Sequence, residues 1–135
     1  MSLAELKRDF VILACAISAG IHGALVPGHF DEGTGAGLGF AAATAILAGL
    51  VVWLTRRRAS LPALATAAAT FAGLLASYAL SVTTGLPVLH PHPEPVDGLA
   101  LATKAIEASG LLAASSLLWL PRVTAMTPQP KGTLT

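Results

Sequence analysis

Charge is scarce in this sequence. Asp, Glu, Lys and Arg make up only 11% of its 135 residues, against roughly 25% in a water-soluble domain. The chain therefore lacks the polar coat of an ordinary cytosolic globule, and the same shortage excludes a disordered tail. Cysteine is nearly absent as well. Cys15 stands alone, which rules out an internal disulfide, and with it a disulfide-stapled secreted module, while saying little about redox compartment. No basic run exceeds three residues and the net charge is +1, so the electrostatic footprint of a nucleic-acid-binding protein is missing. Apolar bulk takes the place of charge: 54% of residues are hydrophobic, and the mean hydropathy is +0.72.

The apolar residues fall into four runs. The first, 10–26, is bounded by Asp9 and Pro27, and the second, 36–54, stops at Arg56-Arg57-Arg58. The third, 61–82, ends before Thr83-Thr84-Gly85, and the fourth, 99–120, is closed by Pro121-Arg122. A helix crossing a hydrocarbon core of about 30 Å needs roughly 20 apolar residues, with about 17–25 observed. Each run meets that, the first at the short end. Ala, Leu and Gly dominate over β-branched residues and nothing alternates, which argues against transmembrane strands. The expected fold class is all-α, an integral-membrane bundle of four transmembrane helices within residues 1–123. Residues 124–135, with Pro128 and Pro130, are expected to form a flexible cytoplasmic tail.

Lys7-Arg8 followed by Ile12-Leu13-Ala14-Cys15 has the outline of a lipoprotein signal. Only residues 10–14 precede the cysteine as an apolar stretch, however, and the run continues to Val26. A signal h-region spans about 7–15 residues and ends at the cleavage site, so the first run is expected to remain as a span.

Basic residues decide the orientation. Lys7 and Arg8 precede the first span, Arg56 to Arg58 join the second to the third, and Arg122 and Lys131 follow the fourth. An even number of spans puts all three groups on one side, expected to be the cytoplasmic side of an inner or plasma membrane. Loops 27–35 and 84–98 then lie outside. They hold Asp31, Glu32, Glu94 and Asp97 and no Lys or Arg, so the expectation is N-in, C-in with two acidic outer loops.

Helices in lipid associate through close packing of small residues. The expected packing faces are Ala14, Ser18 and His22 on the first helix, with Ala16 and Gly20 beside them, and Ala42, Ile46 and Leu50 on the second, with Gly37 and Gly49 at its ends. The third helix carries a four-step ridge of Ala65, Ala69, Gly73 and Ser77, and the fourth carries Ser109, Gly110, Ala113 and Ala114. Trp53 and Trp119 sit near the cytoplasmic ends of their helices, where an aromatic belt is expected.

The residues that offer chemistry gather toward the outer side. His29 follows Pro27-Gly28, and the second outer loop contains His90-Pro91-His92-Pro93-Glu94-Pro95. Imidazole and carboxylate together suit a transition metal such as zinc or copper. The candidate metal ligands are His22, His29, Glu32 (or Asp31), His90, His92 and Glu94. The competing reading has these groups capping the outer interface and facing water, because His-Pro-His is extended and preforms no chelate.

His22 lies deeper, on one helical face with Ser18 and Cys15. A polar stripe inside a span turns toward the bundle interior, where an interhelical hydrogen bond to Tyr78 or Thr83 is the simplest partner. No second histidine stands at similar depth on another helix, so a haem site within one chain is not expected. Lys104 and Glu107 are the only charged residues inside a span and are three apart on one face. An isolated charge there costs at least about 2.5–3.5 kcal/mol. Lys104 is near enough to the outer end to snorkel. Glu107 is deeper, and three roles are open to it: a proton or cation acceptor, a ligand below the histidine cluster, or half of a structural pair.

The segment 22–32, the Tyr78…Thr84-Gly85-Leu86-Pro87 stretch and the Lys104…Glu107 pair give residues 10–120 a resemblance to a group of small, Ala-rich, four-helix membrane proteins of high-GC bacteria. The resemblance implies the four-span layout and no catalytic role. Three functions compete. The leading one is a small membrane binding or accessory protein, whose outer face (His29, Glu32, His90, His92, Glu94) takes a cation or a partner. The second is a subunit of a transport or proton/cation-conducting assembly using Glu107 and His22. Four short spans make a thin pathway, so this reading requires a homo-oligomer or a larger membrane complex, and no inverted repeat is visible. The third is a membrane-embedded enzyme with a metal-activated water, for which no helical ligand pair or nucleophile motif is present.

Overall fold

The computed structural model describes residues 1–57, 60–87 and 92–125, with the backbone alone from 120 onward. The expected tail therefore lies outside the described residues beyond Ala125. Four helices follow one another: α1 (Leu3–Glu32), α2 (Thr34–Arg56), α3 (Leu61–Thr83) and α4 (Gly98–Ala125). All four are long and apolar enough to cross a membrane.

α1 is longer than its apolar run at both ends. At the start, Ser2 and Glu5 form a capping box: the Glu5 amide donates to Ser2 Oγ at 3.2 Å and the Ser2 amide to Glu5 Oε2 at 2.6 Å. That arrangement satisfies two of the amides a helix start leaves over. At the other end the helix passes through Pro27 and closes where the Gly33 amide donates to the His29 carbonyl at 3.0 Å. Proline removes one i→i−4 bond and crowds the carbonyl four residues back, here that of Gly23, but the helix resumes beyond it. The expected outer loop at 27–35 is thus helical, interrupted only at Gly33.

The other ends were written in local sequence. Ser60 caps α3 through the Ala63 amide at 3.3 Å, with Pro62 in the first turn, where its missing N–H costs nothing. α3 stops at Gly85, whose φ of 74° lets its amide and that of Thr84 both reach the Leu80 carbonyl at 2.9 Å. A side chain is disfavoured in this left-handed conformation by roughly 1–2 kcal/mol. Gly85→Ala is therefore expected to lower stability by about 1 kcal/mol, measurable as a drop in thermal midpoint in detergent with the helical content unchanged. Asp97 caps α4, its Oδ1 accepting from the Ala100 amide at 2.8 Å.

α1 packs on α2 and α4, α3 packs on α4, and α2 meets α3 less extensively, so the helices close a ring in chain order with α1 and α3 across its diagonal. The dry centre is Val11, Ala14, Cys15, Leu47, Leu54, Leu64, Ala67 and Phe71. Several expected packing faces lie elsewhere. Ala65, Ala69 and Gly73 face outward, as do Ala16, Gly20, Ala42 and Ile46, while Ser77 borders a cavity. The inward faces are Ala63, Ala67 and Phe71 on α3, and Ala43, Leu47, Leu50 and Leu54 on α2. Phe71 supplies the reason on α3. Its ring occupies the notch at Gly110, where a Cβ would stand 2.7 Å from Phe71 Cε2 and 3.0 Å from the Ala14 Cβ. One large ring filling one notch sets the rotation of the helix, and the small-residue ridge turns away with it.

Candidate functional site

The chemistry-bearing residues gather at the end of the bundle formed by the C-terminus of α1 and the N-terminus of α4. They form two layers.

The lower layer is a chain of hydrogen bonds whose directions are forced. The carbonyl of Ser18 lies 2.9 Å from His22 Nδ1. A carbonyl only accepts, so Nδ1 carries the proton and leans also on Ser18 Oγ at 3.3 Å. Ser18 Oγ in turn donates to Glu107 Oε1 at 2.7 Å, and Lys104 Nζ donates to Glu107 Oε2 at 2.7 Å. Glu107 is completely buried as a carboxylate whose charge is matched by Lys104. His22 Nδ1 lies 3.9 Å from Glu107 Oε1. The expected partners of His22, Tyr78 and Thr83, are replaced by Ser18 and Glu107, because α3 lies across the diagonal from α1. Thr83 Oγ1 instead donates to the Ala79 carbonyl at 2.6 Å. Lys104 does not snorkel outward. It turns inward to Glu107, with its ammonium 5.5 Å from the centre of the Tyr78 ring.

The upper layer is the mouth. The helical path of α1 through Pro27 puts His29 and Glu32 three residues apart on one face, with His29 Nε2 4.0 Å from Glu32 Oε2. Asp31, two residues on, is exposed like Glu32 but does not join this group. The third member comes from the α3–α4 connection. The Glu94 amide donates to the Ser81 carbonyl at 3.0 Å, which fastens that stretch to the end of α3. One ligand atom from each of His29, Glu32 and Glu94 lies within 4.8 Å of the other two. A tetrahedral ion with bonds of about 2.0–2.2 Å holds its ligands roughly 3.4 Å apart, so the three atoms would have to draw closer together to share one ion. His92 is exposed and apart from this group, and His90 lies outside the described residues.

Both histidines are oriented in the same way. His29 Nδ1 lies 2.9 Å from the Leu25 carbonyl, four residues back, as His22 Nδ1 does from that of Ser18. In each, Nδ1–H donates to the carbonyl and Nε2 lies on the far side of the ring. Phe40 of α2 holds both, stacked on His29 at 3.6 Å between ring centres and tilted against His22 at 5.2 Å. The positioning roles of Phe40 and Ser18 were not read from the sequence. Ser18 shares a helical face with His22 in the sequence, but its bond to Glu107 arises only where α4 meets α1, as the stacking of Phe40 arises only where α2 does.

Between the layers lies a cavity of about 260 Å³, walled by Ile21, Leu25, Phe40 and Leu74, with His29, Glu94 and Asp97 toward the mouth and His22, Tyr78 and Lys104 deeper in. Compared with known family models, curated proteins and solved structures, the chain matches none, and its site is read from its own geometry.

Proposed function

We propose that this chain is a multi-pass protein of the inner or plasma membrane, with both termini cytoplasmic, that binds a divalent transition metal such as zinc or copper at its outer end through His29, Glu32 and Glu94. The observation that carries the reading is the meeting of an imidazole and a carboxylate of α1 with a carboxylate of the α3–α4 connection, at the mouth of a mostly apolar cavity with His22 and Lys104 deeper in. Mixed nitrogen and oxygen donors suit these ions. A ligating histidine almost always gives its other ring N–H to a carbonyl or carboxylate, as His29 does to Leu25.

The membrane placement is supported by an inverted distribution of polarity. Leu13, Leu101, Leu112 and Trp119 are exposed on the outside of the bundle, while Ser18, His22, Thr103 and Glu107 are buried. A water-soluble protein does the opposite. Trp53, half-exposed, stands on α2 beside the end that carries Lys7, Arg8, Arg56 and Arg57, consistent with a cytoplasmic interface there.

Binding is favoured over conduction because the cavity is closed below. Beneath Glu107 the buried side chains are Val11, Ala14, Cys15, Leu47, Leu54, Leu64 and Phe71, and no polar group among the described buried residues continues the path. A cation would lose its hydration there without recompense.

The test is metal content by elemental analysis of detergent-purified, tag-free protein after dialysis against zinc. About one zinc per chain is expected in the wild type and in His92→Ala, with at least tenfold weaker binding in His29→Ala and Glu94→Gln, the usual scale for loss of a ligand or its support. Absence of zinc from the wild type, or full retention in both ligand variants, would sink the assignment.

A further inference from the structure

We infer that the cavity takes the metal together with a short hydroxycarboxylate, one end of which coordinates the metal while the other is anchored at Lys104 and His22. This rests on the metal reading above and names what would share the site. Three protein ligands leave at least one position open on a tetrahedral ion. The space next to it is the cavity, which runs from His29 and Glu94 to Lys104.

The base of that cavity asks for a particular chemistry. An ammonium has three N–H donors. Lys104 gives one to Glu107 Oε2 at 2.7 Å, and its remaining donors meet no other acceptor among the described residues. A carboxylate oxygen answers them. His22 Nε2, on the far side of the ring from the bond between Nδ1 and the Ser18 carbonyl, makes no hydrogen bond among the described residues, and a ligand hydroxyl answers it. Ile21, Leu25, Phe40 and Leu74 form an apolar stretch of the wall that accommodates a short carbon chain, and the buried Tyr78 hydroxyl, without a partner among the described residues, adds a further polar group to the lining. About 260 Å³ is below the roughly 300–1,000 Å³ of sites for drug-sized ligands, so the occupant is small.

Charge couples the two ligands. Glu94 and Asp97 toward the mouth oppose an anion entering alone, and a divalent ion held by His29, Glu32 and Glu94 cancels that opposition. Each ligand therefore raises the affinity of the other by the same factor.

The experiment measures retention of radiolabelled malate by chelator-treated protein in detergent, with and without equimolar zinc, alongside zinc content. The expected result is about one malate per chain with zinc and at least tenfold weaker binding without it, the scale of one lost charge-assisted hydrogen bond. The Lys104→Met/Glu107→Gln double variant removes both charges of the pair together. It is expected to keep its zinc and lose malate at least tenfold. Ala100→Phe, which fills the cavity without touching a charge, is expected to do the same and serves if the double variant fails to fold. Zinc bound at one per chain with no malate retained, or malate retained equally without zinc or in both variants, overturns this inference alone. Absence of zinc from the wild type overturns it together with the metal assignment.

Discussion

Lys104→Met is expected to destabilise the bundle by about 3–5 kcal/mol, the cost of leaving one member of a buried ion pair without its partner. Glu107 is 0% exposed and Lys104 16% exposed at the side chain. The carboxylate then retains one hydrogen bond, from the hydroxyl of Ser18 2.7 Å away, with the His22 ring nitrogen 3.9 Å off, to balance a full charge. Glu107→Gln in the same chain removes that charge, and the double variant is expected to recover most of the loss, because no buried charge is left unpaired and an unpartnered amide costs less than an unpartnered carboxylate. Equilibrium unfolding of the two single variants and the double variant in detergent gives the coupling directly. Additive losses would show that Lys104 does not neutralise Glu107. Ser18→Ala sits on the same chain of bonds and is expected to cost about 1–3 kcal/mol, as removal of a donor to a buried acceptor does.

The second large effect is at the crossing of α1, α3 and α4. Phe71→Ala is expected to cost about 3 kcal/mol, the lower end of the range for emptying a core of a phenyl ring. The low end applies because, in lipid, lost packing contacts and a residual void remain as penalties while the gain from leaving water is small. Gly110→Ala attacks the same contact from the other side. Its Cβ would stand 2.7 and 2.9 Å from two carbons of the Phe71 ring and 3.0 Å from Ala14. Overpacking of this kind costs about 1–3 kcal/mol, against roughly 1 kcal/mol gained from the better helix propensity of alanine. The test is the double variant Phe71→Leu/Gly110→Ala, expected to be more stable than the sum of its single changes because the smaller side chain makes room for the new methyl. Strict additivity would mean that ring and notch do not determine how these helices meet.

Local chemistry that the sequence displays explains most of the helix boundaries. The apolar runs 36–54 and 61–82 lie inside α2 (Thr34–Arg56) and α3 (Leu61–Thr83), and Ser60-Leu61-Pro62 and Gly85 are start and stop signals in plain view. The Ser2-x-x-Glu5 capping box is equally legible and extends α1 toward its start. The passage of α1 through Pro27 is different, since a proline after an apolar run reads as an end. That single continuation has the largest consequence for the site. It turns a presumed loop into a helical face and selects Glu32 over Asp31 beside His29.

Composition and spacing alone determine that this chain makes four helices long and apolar enough to span a membrane, that stretches 27–35 and 84–98 hold Asp31, Glu32, Glu94 and Asp97 and no Lys or Arg, and that Lys104 and Glu107 share a helical face. These are properties of single segments, fixed by hydropathy, length and the helical repeat. The tertiary structure decided which polar groups meet. Glu107 meets Ser18 and lies beside His22 because α4 is a neighbour of α1 and α3 is not. Glu94 reaches His29 because one backbone bond to Ser81 folds the connection over the bundle. Ala65, Ala69 and Gly73 face outward because Phe71 claims the notch at Gly110. Each outcome depends on how one helix is rotated against another, and that rotation is set by a few large side chains filling particular gaps, which no periodicity within a single helix encodes.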